Sequence, residues 1–84
     1  MKYNLEIGKK LKIRIGFLKY LPVMYCGYVN EHTFSIGHFH ASGHQGYAIN
    51  LYYPKKANTI QIGDNHFRVG DITTERIELE TIKN

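Results

Sequence analysis

The sequence predicts an all-β fold, a small barrel or sandwich of seven to eight short, mostly antiparallel strands. Three observations lead there. Apolar and polar residues alternate with period two through most of the chain. No apolar stripe of helical period runs for a useful length. Turn-forming clusters such as Gly8-Lys9-Lys10, Asn30-Glu31-His32 and Gly63-Asp64-Asn65 recur at short intervals.

Taken in order, Tyr3, Leu5 and Ile7 alternate before the turn at Gly8. Leu11, Ile13, Ile15 and Phe17 alternate with Lys12, Arg14 and Gly16, which places Phe17 in the core. Pro22 lacks the N–H that a sheet ladder needs, so it ends that strand or sits on an edge. Val23–Val29 is rich in tyrosine and β-branched residues and reads as the next strand. Thr33–His40 and Tyr47–Tyr53 follow, joined by the glycine-containing loop Ala41–Gly46, and Pro54–Asn58 is a polar connection. The last third reads as a meander. A two-residue Asp64-Asn65 turn pairs Ile62 with Phe67 and Ile60 with Val69, and Arg76–Ile82 closes the chain with Ile77 and Leu79 inward. Lys12 and Arg14 share one face, as do Glu78 and Glu80. Setting those two strands side by side would make opposite charges neighbours.

Eighty-four residues make a single domain, 1–84, with a small core. Cys26 is the sole cysteine, so no internal disulfide and no CxxC pair exist. That fits a reducing compartment, and no apolar leader opens the chain, so a cytoplasmic protein is expected. The interval His32–Pro54 carries no charged residue, yet its histidines, glycines, Asn and Gln rule out a helical membrane span.

Charge is uneven. Residues 1–63 carry eight lysines and arginines against Glu6 and Glu31, whereas residues 64–84 carry three basic and five acidic residues. A basic field of this kind attracts nucleotides, nucleic acid or acidic protein faces. The bland alternative, charge for solubility, explains it equally well.

The stretch "TFSIGHFHASGHQGYAINLYY" holds three of the five histidines. Register decides where they point. If His40 faces Tyr47, then His38 faces Ile49, Ile36 faces Leu51 and Phe34 faces Tyr53, and every apolar residue falls on one face. A slip of one residue would scatter that set, so this register is predicted. His38 and His40 then extend the apolar row toward the loop, beside Tyr47 and below His44. Side chains at i and i+2 of a strand stand roughly 6.5 Å apart and parallel, close enough to converge on one ion or one phosphate. The plain alternative is a polar turn at the margin of the core. The HxH spacing resembles the first motif of cupin barrels, although His44 and Gln45 stand where that family carries a glutamate. The Gly63–His66 stretch is similar to the histidine of the second cupin motif, without its preceding proline-glycine pattern. The resemblance implies a divalent metal, with His38, His40 and His44 as candidate ligands.

Templates for nucleophilic catalysis are absent: the serines lack a glycine elbow and no carboxylate stands near the central histidines in sequence. Eleven aromatic residues without a tryptophan are a large supply for this length. Tyr52 falls on the face opposite Ile49 and Leu51, with Phe39 and Ser35 outside. Exposed rings beside Lys55, Lys56 or Arg14 can stack bases while the cations hold phosphates. The leading expectation is therefore a non-catalytic module for an anionic, nucleotide or nucleic-acid, ligand, with His38, His40, His44, Tyr47, Tyr52, Lys55, Lys56 and Arg14 at the site. Two alternatives stand beside it. One is a small inhibitor or assembly subunit, of the sort mobile elements encode, that acts on an acidic protein surface or on its own kind through tyrosines. The other is a metal-dependent cupin-like protein. Unpaired strand edges at this size also predict a homo-oligomer.

Overall fold

The computed structural model describes residues 1–42 and 45–82. It contains eight strands and, among the described residues, no helix: β1 (Lys2–Glu6), β2 (Lys10–Gly16), β3 (Lys19–Asn30), β4 (Thr33–Ser42), β5 (Gln45–Pro54), β6 (Thr59–Ile62), β7 (Asn65–Ile72) and β8 (Arg76–Thr81). They form two antiparallel four-stranded sheets, ordered β1-β8-β7-β6 and β2-β3-β4-β5. The fold is all-β, as the alternation predicts, and it is an open sandwich rather than a closed barrel.

The core lies between the sheets. Leu5, Ile60, Ile62, Phe67, Ile77 and Leu79 come from one; Ile13, Leu21, Val23, Tyr25, Phe34 and Ile36 come from the other. Each is at an inward position of its strand, so the period of two accounts for the layer. Burying an aliphatic or aromatic side chain of this size stabilises by about 1.5–3 kcal/mol, which makes the small core dependent on every member.

Two register shifts interrupt the β3–β4 ladder, and the first shapes β3. The register with β4 shifts between Tyr25↔Ile36 and Gly27↔Ser35, leaving Cys26 without an opposite residue. Gly27 takes φ +81 there, a left-handed conformation that the absence of a Cβ permits, and a Cβ would meet the Thr74 carbonyl oxygen at 3.2 Å. The bulge puts Tyr25 and Tyr28 on the same face although they are three residues apart. Both hydroxyls donate to the β7–β8 connection, Tyr25 to the Thr73 oxygen at 2.6 Å and Tyr28 to the Ile72 oxygen at 3.3 Å. Burial pushes the Tyr25 hydroxyl pKa up to about 12, with Tyr28 adding to the rise.

Several expectations need correction. Phe17 is not core. It is 81% exposed at the tip of the β2–β3 hairpin, because Gly16 pairs with Lys19 and leaves Phe17 and Leu18 as the turn. The β6–β7 turn is Gly63-Asp64, not Asp64-Asn65, so Ile62 pairs with Asn65 and Ile60 with Phe67. Gly63 adopts φ +62, and the Asp64 N–H donates to the Ile15 carbonyl at 2.7 Å, tying this hairpin to β2. The shift is two residues, so the inward set is unchanged. β8 lies beside β1 rather than β2: Glu80 pairs with Lys2 and Glu78 with Asn4, while Lys12 and Arg14 stand opposite Pro22 and Tyr20. The short β1 already supplies the partner that β8 needs. Ser35 is on the outer face as expected, but it is buried, since a small side chain in an inner strand is flanked on both sides.

Leu18 is the one non-glycine residue with a left-handed backbone among the described residues, at φ 54. That conformation costs an L-residue roughly 1–2 kcal/mol. Leu18→Gly should therefore raise stability by about 1 kcal/mol in urea denaturation. Gly63→Ala should do the reverse, by about 2 kcal/mol or more, because its Cβ would stand 2.8 Å from the Ile15 Cβ as well as forcing an unfavourable φ.

Candidate functional site

Pro22 determines where the site lies. The β3–β4 ladder begins at Val23↔His38, and from Pro22 back to Lys19 the strand pairs only with β2. A proline has no N–H to donate, so a two-sided ladder cannot continue through it. The chain before Val23 and the chain after His38 therefore separate. The β2–β3 hairpin and the β4–β5 hairpin diverge, and a cleft of about 920 Å³ opens between them.

The two walls differ in chemistry. The β2–β3 wall carries Lys10, Lys12 and Lys19 with Tyr20, Leu21 and Pro22; the β4–β5 wall carries Phe39, His40, Ala41, Tyr47 and Ala48. The ammonium of Lys10 sits 4.2 Å above the centre of the Phe39 ring, a cation–π contact that joins the walls. His40 lies nearly parallel to Tyr47, with ring centres 5.3 Å apart. Lys19 is engaged by Asp64 at 3.1 Å, an exposed pair of little energetic weight. No carboxylate, serine, threonine or cysteine lines the cleft among the described residues. This is a surface of cations and flat rings, suited to attracting negative charge.

The β4–β5 register is the predicted one: His40↔Tyr47, His38↔Ile49, Ile36↔Leu51 and Phe34↔Tyr53. The two histidines nevertheless differ in setting. His38 is buried, 5% exposed, and its Nε2 is 3.2 Å from the Tyr53 hydroxyl. Burial depresses its pKa, and the nearby His40 depresses it further. Burial pushes the Tyr53 hydroxyl up to about 12, so it remains a neutral hydrogen-bonding partner for the imidazole. His38 thus belongs to the core margin, whereas the half-buried His40 belongs to the cleft. Their rings are 6.4 Å apart. His44 lies outside the described residues. Among the described residues no three His, Cys, Asp or Glu side chains come together as a metal-holding group. His66, at the stretch similar to the second cupin motif, is exposed on β7 in the other sheet.

The remaining expected residues do not join the cleft. Arg14 turns its Nε to the Gly16 carbonyl, and its backbone N–H donates to the Tyr3 hydroxyl. Lys55 and Lys56 follow the far end of β5; the Lys55 ammonium sits 3.8 Å above the Tyr28 ring and donates to the Glu31 carbonyl. Tyr52 is exposed on the outer face opposite Ser35. Sequence reasoning placed His40 and Tyr47 at the site and missed Lys10, Lys12, Lys19, Tyr20 and Phe39. The available signal was Pro22, which the sequence suggests ends a strand or sits on an edge; it lies instead within the inner strand β3, at the point where two hairpins separate.

Comparison of this chain with known protein families, with curated proteins and with solved structures finds no match. No helix among the described residues is long and apolar enough to cross a membrane.

The His38 pKa, depressed below its ordinary value of 6.5, fixes a pH dependence. In the window below about 6.5 the unfolded chain binds a proton that the folded chain does not. The stability contributed by neutral His38 is fully present above that window and is lost as the pH falls through it. Urea midpoints measured at pH 7.5, 6.5 and 5.5 should decline toward acid, and His38→Gln should flatten the decline.

Proposed function

We propose that this protein is a non-catalytic binding module for nucleotides or short single-stranded nucleic acid, and that the cleft between its two hairpins is the binding surface. The observation that carries this reading is the cleft lining: three lysines, of which Lys19 is shared with Asp64, facing a Phe39, His40 and Tyr47 wall, with no carboxylate in the lining among the described residues. Single-strand binders combine cations that follow the phosphates with aromatic faces on which bases stack. Base stacking on an aromatic ring is worth about 1–3 kcal/mol, and each lysine–phosphate contact adds counterion release. Lys10 serves the phosphate role: it covers one face of Phe39 and keeps its charge on the cleft wall. The net charge of +4 favours the same partners at long range.

Fluorescence anisotropy with a labelled ten-residue oligothymidylate at 50 mM salt tests the reading. Binding should weaken steeply with salt, roughly in proportion to the number of phosphates neutralised. Lys10→Glu/Lys12→Glu should weaken it at least tenfold, and Phe39→Ala should weaken it with the salt slope unchanged. Absence of binding at 100 µM protein, or binding indifferent to all three substitutions, would overturn it.

A further inference from the structure

We infer that two copies of this chain associate through their β5 strands, in antiparallel pairing centred on Asn50, to form one continuous eight-stranded sheet. The inference does not depend on what fills the cleft.

A four-stranded sheet has two edges, so the sandwich presents four. Natural proteins protect edges with charge, shortness or cover. The edge of β2 carries Lys10, Lys12 and Arg14, the edge of β1 carries Lys2 and Glu6, and β6 is only four residues long. β5 has none of these devices. It is ten residues long, it pairs with β4 alone, and it holds no charged side chain. Its one edge-protecting residue is Pro54, at the very end.

The inner face of β5 is also uncovered. Tyr47, Ile49 and Leu51 share a face with His40, His38 and Ile36, yet they are 51%, 44% and 41% exposed while Ile36 is fully buried. The sheet overhangs its partner here and leaves an apolar row beside an open ladder.

A second copy fits this edge by its own symmetry. Around a two-fold axis at Asn50, Ile49 stands opposite the partner's Leu51, Tyr47 opposite the partner's Tyr53, and Ala48 opposite the partner's Tyr52. Apolar meets apolar on the inner face, and a small residue meets a large one on the outer face. A neutral strand can face itself without like-charge repulsion. Lys55 and Lys56, which follow Pro54, come to the Gln45 end of the partner and not against each other. Each chain carries +4, so any more basic face would resist self-association. The same pairing carries Tyr52, remote from the cleft of its own chain, to Ala48 on the partner's cleft wall.

Sedimentation equilibrium without added ligand, at 5–200 µM protein and 150 mM salt, tests the inference. A dimer is expected. Asn50→Lys, which places two ammonium groups opposite each other at the axis, and Ile49→Lys should each weaken it at least tenfold while the circular dichroism spectrum is retained. As Cys26 lies 3.9 Å from Asn50, a crosslink is sought in Cys26→Ser/Asn50→Cys. Mild oxidation of that variant should give a covalent dimer, which holds the test open if a lysine variant fails to fold. A monomer at 200 µM would overturn the inference. So would a dimer indifferent to both lysine substitutions, or failure of the cysteine variant to crosslink.

Discussion

The termination of one hydrogen-bonded ladder organises much of this molecule. β3 is an inner strand of its sheet, and an inner strand must donate and accept on both sides. Pro22 cannot donate, and pairing with β4 stops at Val23↔His38. On one side of that point the sheet is continuous and contributes Val23, Tyr25, Phe34 and Ile36 to the core. On the other side the same four strands become two separate hairpins with a cleft between them. Packing and cleft are thus two outcomes of one chain, divided by the loss of a single N–H.

The core and the cleft meet at His38. It occupies the last paired position before the hairpins part, and its imidazole is satisfied by Tyr53 rather than by solvent. Two residues further along, His40 faces the same way but stacks on Tyr47 in the cleft wall. Identical side chains on one face of one strand therefore differ in setting, one buried beside Tyr53 and the other half-buried in the cleft wall. The aromatic succession Tyr25, Phe34 and Tyr53 runs from the core toward this boundary, with Phe34 stacked on Tyr53 at 5.4 Å.

Alternation made much of the fold legible. It gave most of the strands and inward residues, and the β4–β5 register from Phe34 to His40, because a slip would have exposed Phe34 and Ile36; the ladder continues through Ala41↔Gly46 and Ser42↔Gln45, where the sequence suggests a loop. It was silent where local chemistry overrides period two. The Cys26 bulge brings Tyr28 inward, and nothing in the spacing of Val23–Val29 marks it except Gly27. Phe17 looked like the next member of an apolar row, yet the turn fell on it because Gly16 and Lys19 pair. The cleft was half legible. Its aromatic wall lies within one contiguous segment and could be read from it. Its lysine wall comes from β2 and β3, and only the strand order, with β3 between β2 and β4, brings Lys10 over Phe39.

The pairing of β1 with β8 bears on the order of folding. The sheet β2-β3-β4-β5 is built from consecutive strands, so each pairing closes a short loop and costs little chain entropy. The other sheet cannot be completed in this way. Lys2 finds its partner in Glu80, nearly the whole chain away, and β8 stands between β1 and β7. The apolar face of the sheet β2-β3-β4-β5 is covered only where the other sheet packs on it. Leu5 must wait for Ile77 and Leu79 before the core can close. The strand that completes the second sheet is therefore β8, which joins β1 to β7.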